Sequence, residues 1–387
     1  MKRAQQTVLL GAFLALIFVV PVSQAILDVR GGESRPYLLT LFTRAPSEKN
    51  LRDFEDNLER GSYYEQTIRP LFQLARYRAL GELGEKALRG ARPGWYYYAP
   101  GVRYLVEPFY SELTAPPAND PVAVIKDLAD QLARRGIALW VMPVPGKASV
   151  HPERLRRGVS PDPAVGAHTR RLLDALARRG VTTLDLLQVF LEVRRRHPER
   201  VLYMRADTHW TGEGARLAAE AVASRIKELS WYRRPDRPLY TRKRVTVTRR
   251  GDVPRMTQIP GHERLFAAER VPCYRVFFAG GEQRGEPYEE PDEPAASRVL
   301  VLGDSFSRVF EHDEPESAGW ISNLAYELQQ PVSAIVNDGG ASTLVRQELA
   351  RDLSVLEGKK LVVWAFVERD VRFGLQGWQP IELEEEK

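Results

Sequence analysis

Three residues of this chain have the types and the order that acyl transfer through a serine requires. Ser305 stands in a Gly-Asp-Ser motif directly after the apolar run Val299–Leu302, which is typical of a buried strand. Asp207 and His209 lie two positions apart in an Asp-Thr-His-Trp motif. A serine hydroxyl needs a base to take its proton, and an imidazole suits that task when a carboxylate holds its second nitrogen. We therefore predict a triad with Ser305 as nucleophile, His209 as base and Asp207 as the group that orients the histidine.

A purely structural interpretation of the same residues stays open. Asp304 and Ser305 are both favourable N-cap residues at a strand-to-helix junction, and Asp207 could cap a helix that begins near Gly212. His209 would then be a structural residue. We favour the triad because both motifs follow apolar runs, and open α/β sheets build their sites in loops at such positions.

The N-terminus predicts export from the cytoplasm. A basic start, Met1–Arg3, leads into the apolar run Val8–Val22, and the small residues of Ser23–Ala25 resemble a cleavage site. Residues 1–29 are therefore predicted to be a signal peptide or a signal anchor, and cleavage stays open. Cys273 is the single cysteine, so no disulfide forms within the chain, and we expect it to be a small buried hydrophobic residue without chemistry.

The alternation of apolar and helical patterns predicts a doubly wound α/β domain with a parallel sheet. The 387 residues, 43% of them hydrophobic, are enough for one large domain with an appendage or for two domains. The predicted strands and helices alternate from residue 121 to residue 366: helix 121–135, strand 137–144, helix 162–179, apolar stretch 181–190, helix 212–229, strand 299–302, helix 320–329, strand 332–336, helix 343–356 and strand 361–366. The predicted organisation is a helical stem at 30–90, the domain at 91–375 and an acidic tail at 376–387.

A basic insertion at about 230–295 interrupts this alternation. Its part from Arg233 to Arg255 has nine Lys or Arg against two acidic residues, and an acidic, Pro-rich linker follows at 285–294. Outside the cytoplasm such a segment indicates an anionic polysaccharide or a membrane surface as partner, and no nucleic acid. A solvated insertion that happens to be basic is an equal alternative. The aromatic cluster Gly94–Tyr98 could likewise stack on sugar rings, although a core position is favoured.

Several motifs together resemble those of the SGNH-hydrolase-like proteins of bacterial exopolysaccharide O-acetylation, especially the alginate O-acetyltransferase (AlgJ/AlgX-like) group. In this family the Asp and His precede the Ser, as they do here, whereas Thr208 stands where many relatives carry a second histidine. The resemblance spans roughly residues 52–369. Its motifs are Gly94–Tyr98, Pro143–Lys147, Asp207–Trp210, Gly251–Val253, Gly303–Ser307 and Val362–Arg369.

The resemblance implies an SGNH-hydrolase-like fold and a periplasmic acetyl transfer. A membrane-bound O-acyltransferase would supply acetyl groups across the inner membrane, and Ser305 would pass them to an exopolysaccharide, together with other polysaccharide-secretion proteins. No cofactor is implied. Some relatives carry a C-terminal carbohydrate-binding module and this sequence ends soon after its last strand, so transfer to the polymer or relay to a partner both stay open.

Other side chains near the predicted site could complete it. The oxyanion of the intermediate needs several donors, for which we expect the N–H of Ser305 and groups of Asn337 or Gly340, after a neighbouring strand. Lys147 and Arg308 could orient a uronate carboxylate or another acidic group of the substrate, or equally be ordinary surface cations. Glu368 and Arg369 are expected to form an ion pair at a strand end. No metal is expected, because no third ligand accompanies Asp207 and His209.

Three functions remain at this point. The first is an exopolysaccharide O-acetyltransferase, and the second is a carbohydrate acetyl esterase with the same triad. The two differ in whether a sugar hydroxyl or water accepts the acetyl group, which depends on water exclusion that the sequence does not reveal. The third is a non-catalytic scaffold that binds polysaccharide or bridges other proteins.

Overall fold

The computed structural model describes residues 2–32, 36–43, 47–113, 119–373 and 377–383. The chain divides into two compact units, one with the residues up to 84 and Thr257–His262, the other with the remaining residues from Glu85 onward. The stem boundary at residue 90 stays a prediction from the sequence. Positions 376 and 384–387 of the predicted acidic tail lie outside the described residues.

The first unit is helical. Its first helix, Lys2–Arg30, contains a stretch at Gln6–Arg30 that is long and apolar enough to cross a membrane, by length and composition. The Ser47 hydroxyl accepts a hydrogen bond from the Asn50 N–H at 3.1 Å and so caps a later helix. The other helical segments of this unit are Tyr37–Thr43 (3₁₀), Glu48–Gly61, Tyr64–Ile68 (π) and Arg69–Leu80.

The second unit is built on a five-stranded parallel sheet. The described strands are β1 (Ala87–Arg89), β2 (Tyr96–Tyr98), β3 (Ala138–Val144), β4 (Thr182–Thr183), β5 (Tyr240–Arg249), β6 (Glu269–Phe278), β7 (Val299–Gly303), β8 (Ser333–Val336) and β9 (Leu361–Val367). The sheet order is β4-β3-β9-β7-β8, all neighbours parallel. The last strand, β9, therefore lies between β3 and β7, and the carboxyl ends of all five strands meet at one edge, where open α/β sheets bind ligands.

The helices of this unit cover both faces of the sheet. Their bounds are Ala99–Val106, Pro121–Arg134, Lys147–Val150, Pro152–Leu155, Ala167–Arg178, Leu186–Arg196, Gly212–Ile226, Val253–Met256, His262–Leu265 (which begins in the first unit), Ser305–Arg308, Trp320–Leu328, Leu344–Arg351 and Asp370–Phe373, with 3₁₀ turns at Tyr110–Glu112, Pro163–Gly166, Pro294–Ala296 and Leu353–Leu356. Only two residues of the apolar stretch 181–190 are strand. A helix begins at Leu186 because the Asp185 carboxylate caps it by accepting from the Gln188 N–H at 3.1 Å.

Alternate residues of each central strand enter different cores. Trp140, Met142 and Val144 of β3 pack with the helices Leu186–Arg196 and Gly212–Ile226. Leu139 and Val141 belong to the opposite cluster. Because side chains alternate across a strand, burial on both faces requires the continuous apolar runs that the sequence shows. The doubly wound α/β prediction is confirmed.

The basic insertion forms an antiparallel hairpin, in which β5 pairs with β6 along ten positions. Several of its cations are occupied by neighbouring groups. Arg242 contacts Glu327 at 3.2 Å and the ring of Tyr326 at 4.2 Å, and Arg249 contacts Asp313 at 3.3 Å. These two cations therefore attach the hairpin to its own unit.

The acidic linker packs along the edge strand β8. Tyr288 is buried, and its hydroxyl donates to the Val332 carbonyl at 2.7 Å. The Glu290 carboxylate accepts from the Ala334 N–H at 2.6 Å. An edge strand exposes backbone groups that can pair with another chain, so this contact protects one of them.

A buried glutamate holds the start of the helix Trp320–Leu328. The Glu311 carboxylate accepts from the Ser322 N–H at 3.0 Å and from the Ser322 hydroxyl at 3.1 Å. Burial raises the pKa of Glu311 to about 8, even though the bonds from Ser322 oppose that change.

We expect the substitution Glu311→Gln to flatten the dependence of stability on pH. A folded-state pKa above the unfolded value contributes stability at low pH that is lost as the pH rises toward about 8. The thermal unfolding midpoint of the wild type should fall more between pH 5.5 and 8.5 than that of the variant. Glu357→Gln, at an exposed glutamate, is the control and should follow the wild type. Equal pH profiles for wild type and Glu311→Gln would contradict the assignment.

Candidate active site

Ser305 lies in the first turn after β7, and its neighbour Asp304 fixes that turn. The Asp304 carboxylate accepts from the Phe306 N–H at 2.9 Å and from the Val367 N–H at 2.8 Å. Gly303 is required here because a Cβ at that position would lie 2.1 Å from the Ser307 hydroxyl. Asp304 is thus an N-cap that also ties the end of β9 to the end of β7, which leaves the Ser305 hydroxyl as the reactive group of the motif.

The structure brings Ser305, His209 and Asp207 together. The Nε2 atom of His209 is 2.8 Å from the Ser305 hydroxyl, and its Nδ1 atom is 2.7 Å from a carboxylate oxygen of Asp207. A carboxylate only accepts, so the Nδ1 atom carries the proton and the Nε2 atom can accept the serine proton. Asp207 does not cap the following helix, since the Thr211 hydroxyl accepts from the Gly214 N–H there.

The charges around His209 favour its protonated form. Burial opposes that charge, but the hydrogen bond to Asp207 and the charges of Asp207 and Asp252 outweigh burial and raise the pKa of His209. For Asp207 itself, burial raises the pKa, and the bond and charge of His209 outweigh burial and lower it. An imidazolium that forms during catalysis is therefore stabilised where it arises.

The loop that carries Asp207 and His209 follows no strand of the sheet, contrary to the expectation for this motif. It connects the helices Leu186–Arg196 and Gly212–Ile226, and a single bridge between Tyr203 and Trp210 closes it. Contacts from other elements must therefore fix its position.

Lys147 provides the first of these contacts. It follows β3, is 5% exposed, and donates to the carbonyls of Met204 and Arg205 at 3.0 Å each and of Asp207 at 2.5 Å. Burial lowers the pKa of Lys147 to about 8, against the charge of Asp207. The three bonds use all three donors of the ammonium. None is left for a substrate carboxylate, which corrects the substrate-binding role expected of Lys147.

Asp252 provides the second contact, a role that sequence reasoning missed. Its carboxylate accepts from the Thr208 N–H at 2.7 Å and from the Thr208 hydroxyl at 2.5 Å, and it lies 3.7 Å from the Nδ1 atom of His209. Gly251 allows this approach because a Cβ there would meet the Ala206 carbonyl at 1.8 Å. The Gly-Asp pair in the insertion was the available signal.

Asp252 also supplies the third candidate metal ligand that the sequence did not reveal. Ligand atoms of Asp207, His209 and Asp252 all lie within 4.8 Å of one another. Hydrogen bonds already occupy them: the Nδ1 atom of His209 pairs with Asp207, and both oxygens of Asp252 accept from Thr208. The arrangement fits a histidine held for proton transfer better than a set of free ligands.

The expected oxyanion donors differ in their availability. Among the described residues, no acceptor pairs with the Ser305 N–H, so this donor can serve. The Asn337 amide donates to Glu348 at 2.5 Å, and the Gly340 N–H donates to the Asn337 carbonyl at 3.2 Å. The Asn337 amide is thus bonded to the helix Leu344–Arg351, and the Gly340 N–H is bonded within its own loop. The Asn337 N–H, 3.0 Å from the Gly303 carbonyl, places that loop beside the serine turn.

The two remaining charged positions also differ from expectation. Arg308, the second residue predicted to bind substrate, is 46% exposed and contacts Asp313 and Asp338 at 2.9 Å each. Its guanidinium is therefore already paired with two carboxylates. Glu368 is buried and makes no ion pair with Arg369. Its carboxylate accepts from the Gly146 N–H at 2.7 Å, from the Thr169 hydroxyl at 2.7 Å and from the Ser149 hydroxyl.

Comparison with known proteins finds relatives of this chain. The family described as the SGNH hydrolase-like domain of the acetyltransferase AlgX matches residues 88–368. The probable alginate O-acetylase AlgJ of Pseudomonas aeruginosa is 25% identical over 291 residues, which cover 72% of this chain and 70% of that protein. The alginate biosynthesis protein AlgX of the same species is 29% identical over 188 residues, or 47% of this chain and 38% of AlgX.

A solved structure shares the fold. The O-acetyltransferase domain of Pseudomonas putida AlgJ aligns with a TM-score of 0.56 at 21% sequence identity, over 76% of this chain and 95% of that domain. At this identity the likeness concerns the fold.

Asp207→Asn should weaken the reactivity of Ser305 and change its pH dependence. The amide removes the charge that raises the pKa of His209, so the acid limb of the profile should move to lower pH while the maximal rate falls by about 10⁴-fold. The rate at which phenylmethylsulfonyl fluoride labels Ser305, followed from pH 5 to 9 by mass spectrometry, measures both effects. If the acid limb does not shift, the charge of Asp207 does not raise the pKa of His209.

Lys147→Met should displace the loop and slow the same labelling reaction. Three carbonyls lose their donor, which should cost about 3 kcal/mol or more in unfolding free energy, and a small displacement of His209 should slow labelling by about 10²-fold.

Lys359→Met is the matched control, because Lys359 is also buried and donates to a carbonyl, that of Pro294. It precedes the first residue of β9, at the end of the sheet opposite to the candidate site. It should lower stability and leave labelling near the wild-type rate. Equal labelling in both variants would show that Lys147 stabilises the fold without positioning the loop.

Proposed function

The chain belongs to the family of the SGNH hydrolase-like acetyltransferase domain of AlgX, and from this premise we propose that it moves acetyl groups onto hydroxyls of an alginate-like exopolysaccharide. The observation that carries the proposal is the position of His209, which contacts Ser305 at 2.8 Å on one side and Asp207 at 2.7 Å on the other. The names of the similar proteins, a probable alginate O-acetylase and an alginate biosynthesis protein, support the substrate class.

In the first half of the proposed reaction, the Ser305 oxygen attacks the carbonyl carbon of an acetyl donor while the Nε2 atom of His209 takes the serine proton. The Ser305 N–H stabilises the oxyanion. The intermediate then expels the donor's leaving group, which receives the proton from His209. The products of this half are an acetyl-serine ester and the protonated leaving group.

In the second half, a sugar hydroxyl attacks the acetyl-serine while His209 takes the hydroxyl proton. Collapse of the second intermediate forms the acetylated sugar and returns the proton to the Ser305 oxygen. Asp207 keeps the same tautomer of His209 throughout and stabilises the imidazolium in each half. Water in place of the sugar would give an esterase.

The proposal places the reaction in the periplasm. The apolar helix that includes Gln6–Arg30 would act as an export signal or as an anchor in the inner membrane. A membrane-bound O-acyltransferase would supply the acetyl group, and other polysaccharide-secretion proteins would present the polymer. The domain limits that fit this proposal are those from the sequence, with the catalytic domain at 91–375.

We expect Ser305→Ala to abolish acetyl transfer, because it removes the nucleophile. The full-length chain in detergent is incubated with 4-nitrophenyl acetate and oligomannuronate, and mass spectrometry follows acetate and acetylated sugar. The variant should lose at least about 10³-fold in rate. Ser307→Ala is the matched control, since Ser307 lies on the same turn but contacts Trp320 instead of His209, and it should remain active.

Each outcome separates one function from the others. Ser305-dependent acetylated sugar supports the transferase. Ser305-dependent acetate without acetylated sugar would favour the esterase. Equal, low rates in wild type and Ser305→Ala, with oligomannuronate still bound, would favour the scaffold.

A further inference from the structure

Arg369 is a cation at the edge of the sheet where Ser305 lies. It follows β9 directly after Glu368, and β9 pairs with β7, the strand that leads into Ser305. Among the residues that the structure describes, its guanidinium makes no hydrogen bond or ion pair, and its recorded contact is with the ring of Tyr98 at 5.1 Å. The other cations considered at this edge, Lys147 and Arg308, are occupied.

Two sets of contacts connect the neighbours of Arg369 with the triad. The Val367 N–H, two residues before Arg369, bonds Asp304, which immediately precedes Ser305. On the other side, Tyr98 ends β2, whose first residue Tyr96 donates to the Arg205 carbonyl at 2.8 Å, in the loop of the catalytic histidine. Burial raises the pKa of Asp304, and the charge of Arg369 opposes that rise. The same charge opposes the rise in the pKa of His209 that Asp207 and Asp252 cause.

An arginine in this state is suited to a carboxylate. The contact with Tyr98 holds the guanidinium by an aromatic face, which uses none of its five N–H donors. The planar fork matches a carboxylate in two parallel hydrogen bonds, and a half-buried cation gains from such a partner. The nearby carboxylate of Glu368 is already committed to Gly146, Thr169 and Ser149.

We propose that Arg369, held against Tyr98, binds the carboxylate of an acidic sugar residue of the acceptor and so determines the specificity for a uronate polymer. The inference rests on the proposed function and names the subsite that this function needs. The carboxylate and the hydroxyls of a uronate belong to one ring. Fixing the carboxylate therefore orients one hydroxyl toward the acetyl-serine, and the benefit appears in acceptor binding.

The test compares acidic and neutral acceptors in the full-length chain. Arg369→Gln should raise the KM for oligomannuronate about tenfold or more, as expected for a lost charge-assisted bond, and should change the KM for a cello-oligosaccharide less than about twofold. Arg369→Lys, which keeps the charge and loses the fork, should give an intermediate KM. Arg308→Gln is the matched control and should change neither value. An equal effect of Arg369→Gln on both acceptors, as the loss of an oxyanion donor would give, overturns the proposal. So does the absence of an effect on either acceptor.

A binding measurement separates this inference from the acetyl-transfer reaction. Oligomannuronate is titrated calorimetrically into Ser305→Ala protein with and without Arg369→Gln, and the second substitution should weaken binding about tenfold or more. If the wild type transfers nothing but this difference is found, the proposed function fails and the subsite stands. If transfer to oligomannuronate proceeds unaffected by Arg369→Gln, the function stands and the subsite fails.

Discussion

The buried ammonium of Lys147 is the contact on which the arrangement of the candidate site depends. Ser305 is fixed by a strand of the sheet, but the loop of Asp207 and His209 connects two helices and has no strand of its own. Lys147 stands at the end of β3 and bonds three carbonyls of that loop. A lysine beneath aromatic rings, 5.0 Å from the centre of Tyr97, is costly to bury, so the loop must keep its carbonyls converged on it. The rigid sheet thereby sets the distance between the histidine and the serine.

Buried carboxylates perform the same task at the ends of neighbouring strands. Asp304 joins the end of β7 to that of β9, and Glu368 joins the end of β9 to Gly146 in the loop that leads to Lys147. Asp252 then holds Thr208 between Asp207 and His209. Each carboxylate accepts at least one backbone N–H, which offsets part of the cost of its burial. The site is thus preorganised by charged groups that do not react, a requirement for geometry that must hold within a fraction of an ångström.

The excess of basic residues in the sequence does not show which cations are available to a substrate, whereas the structure shows which of them already have acidic partners. Arg242 and Arg249 of the hairpin attach it to helices and loops of the same unit, and Arg308 lies between two aspartates. Arg369, which makes no ion pair among the described residues, comes from a segment of no unusual charge. A cation contributes to recognition only when its donors are free, and that depends on which acids the fold brings near it.

The sequence by itself determined the parallel α/β sheet and the reactive residue types. The uninterrupted apolar runs of β3, β7 and β9 can be buried on both faces only in a sheet covered by two helical layers. Asp207, His209 and Ser305 were likewise identifiable, because proton transfer from a serine needs those groups. Tertiary structure alone decided which groups contact Lys147, Asp252 and Arg369. Those groups are distant along the chain, and whether a donor is occupied follows from three-dimensional proximity, which no local pattern encodes.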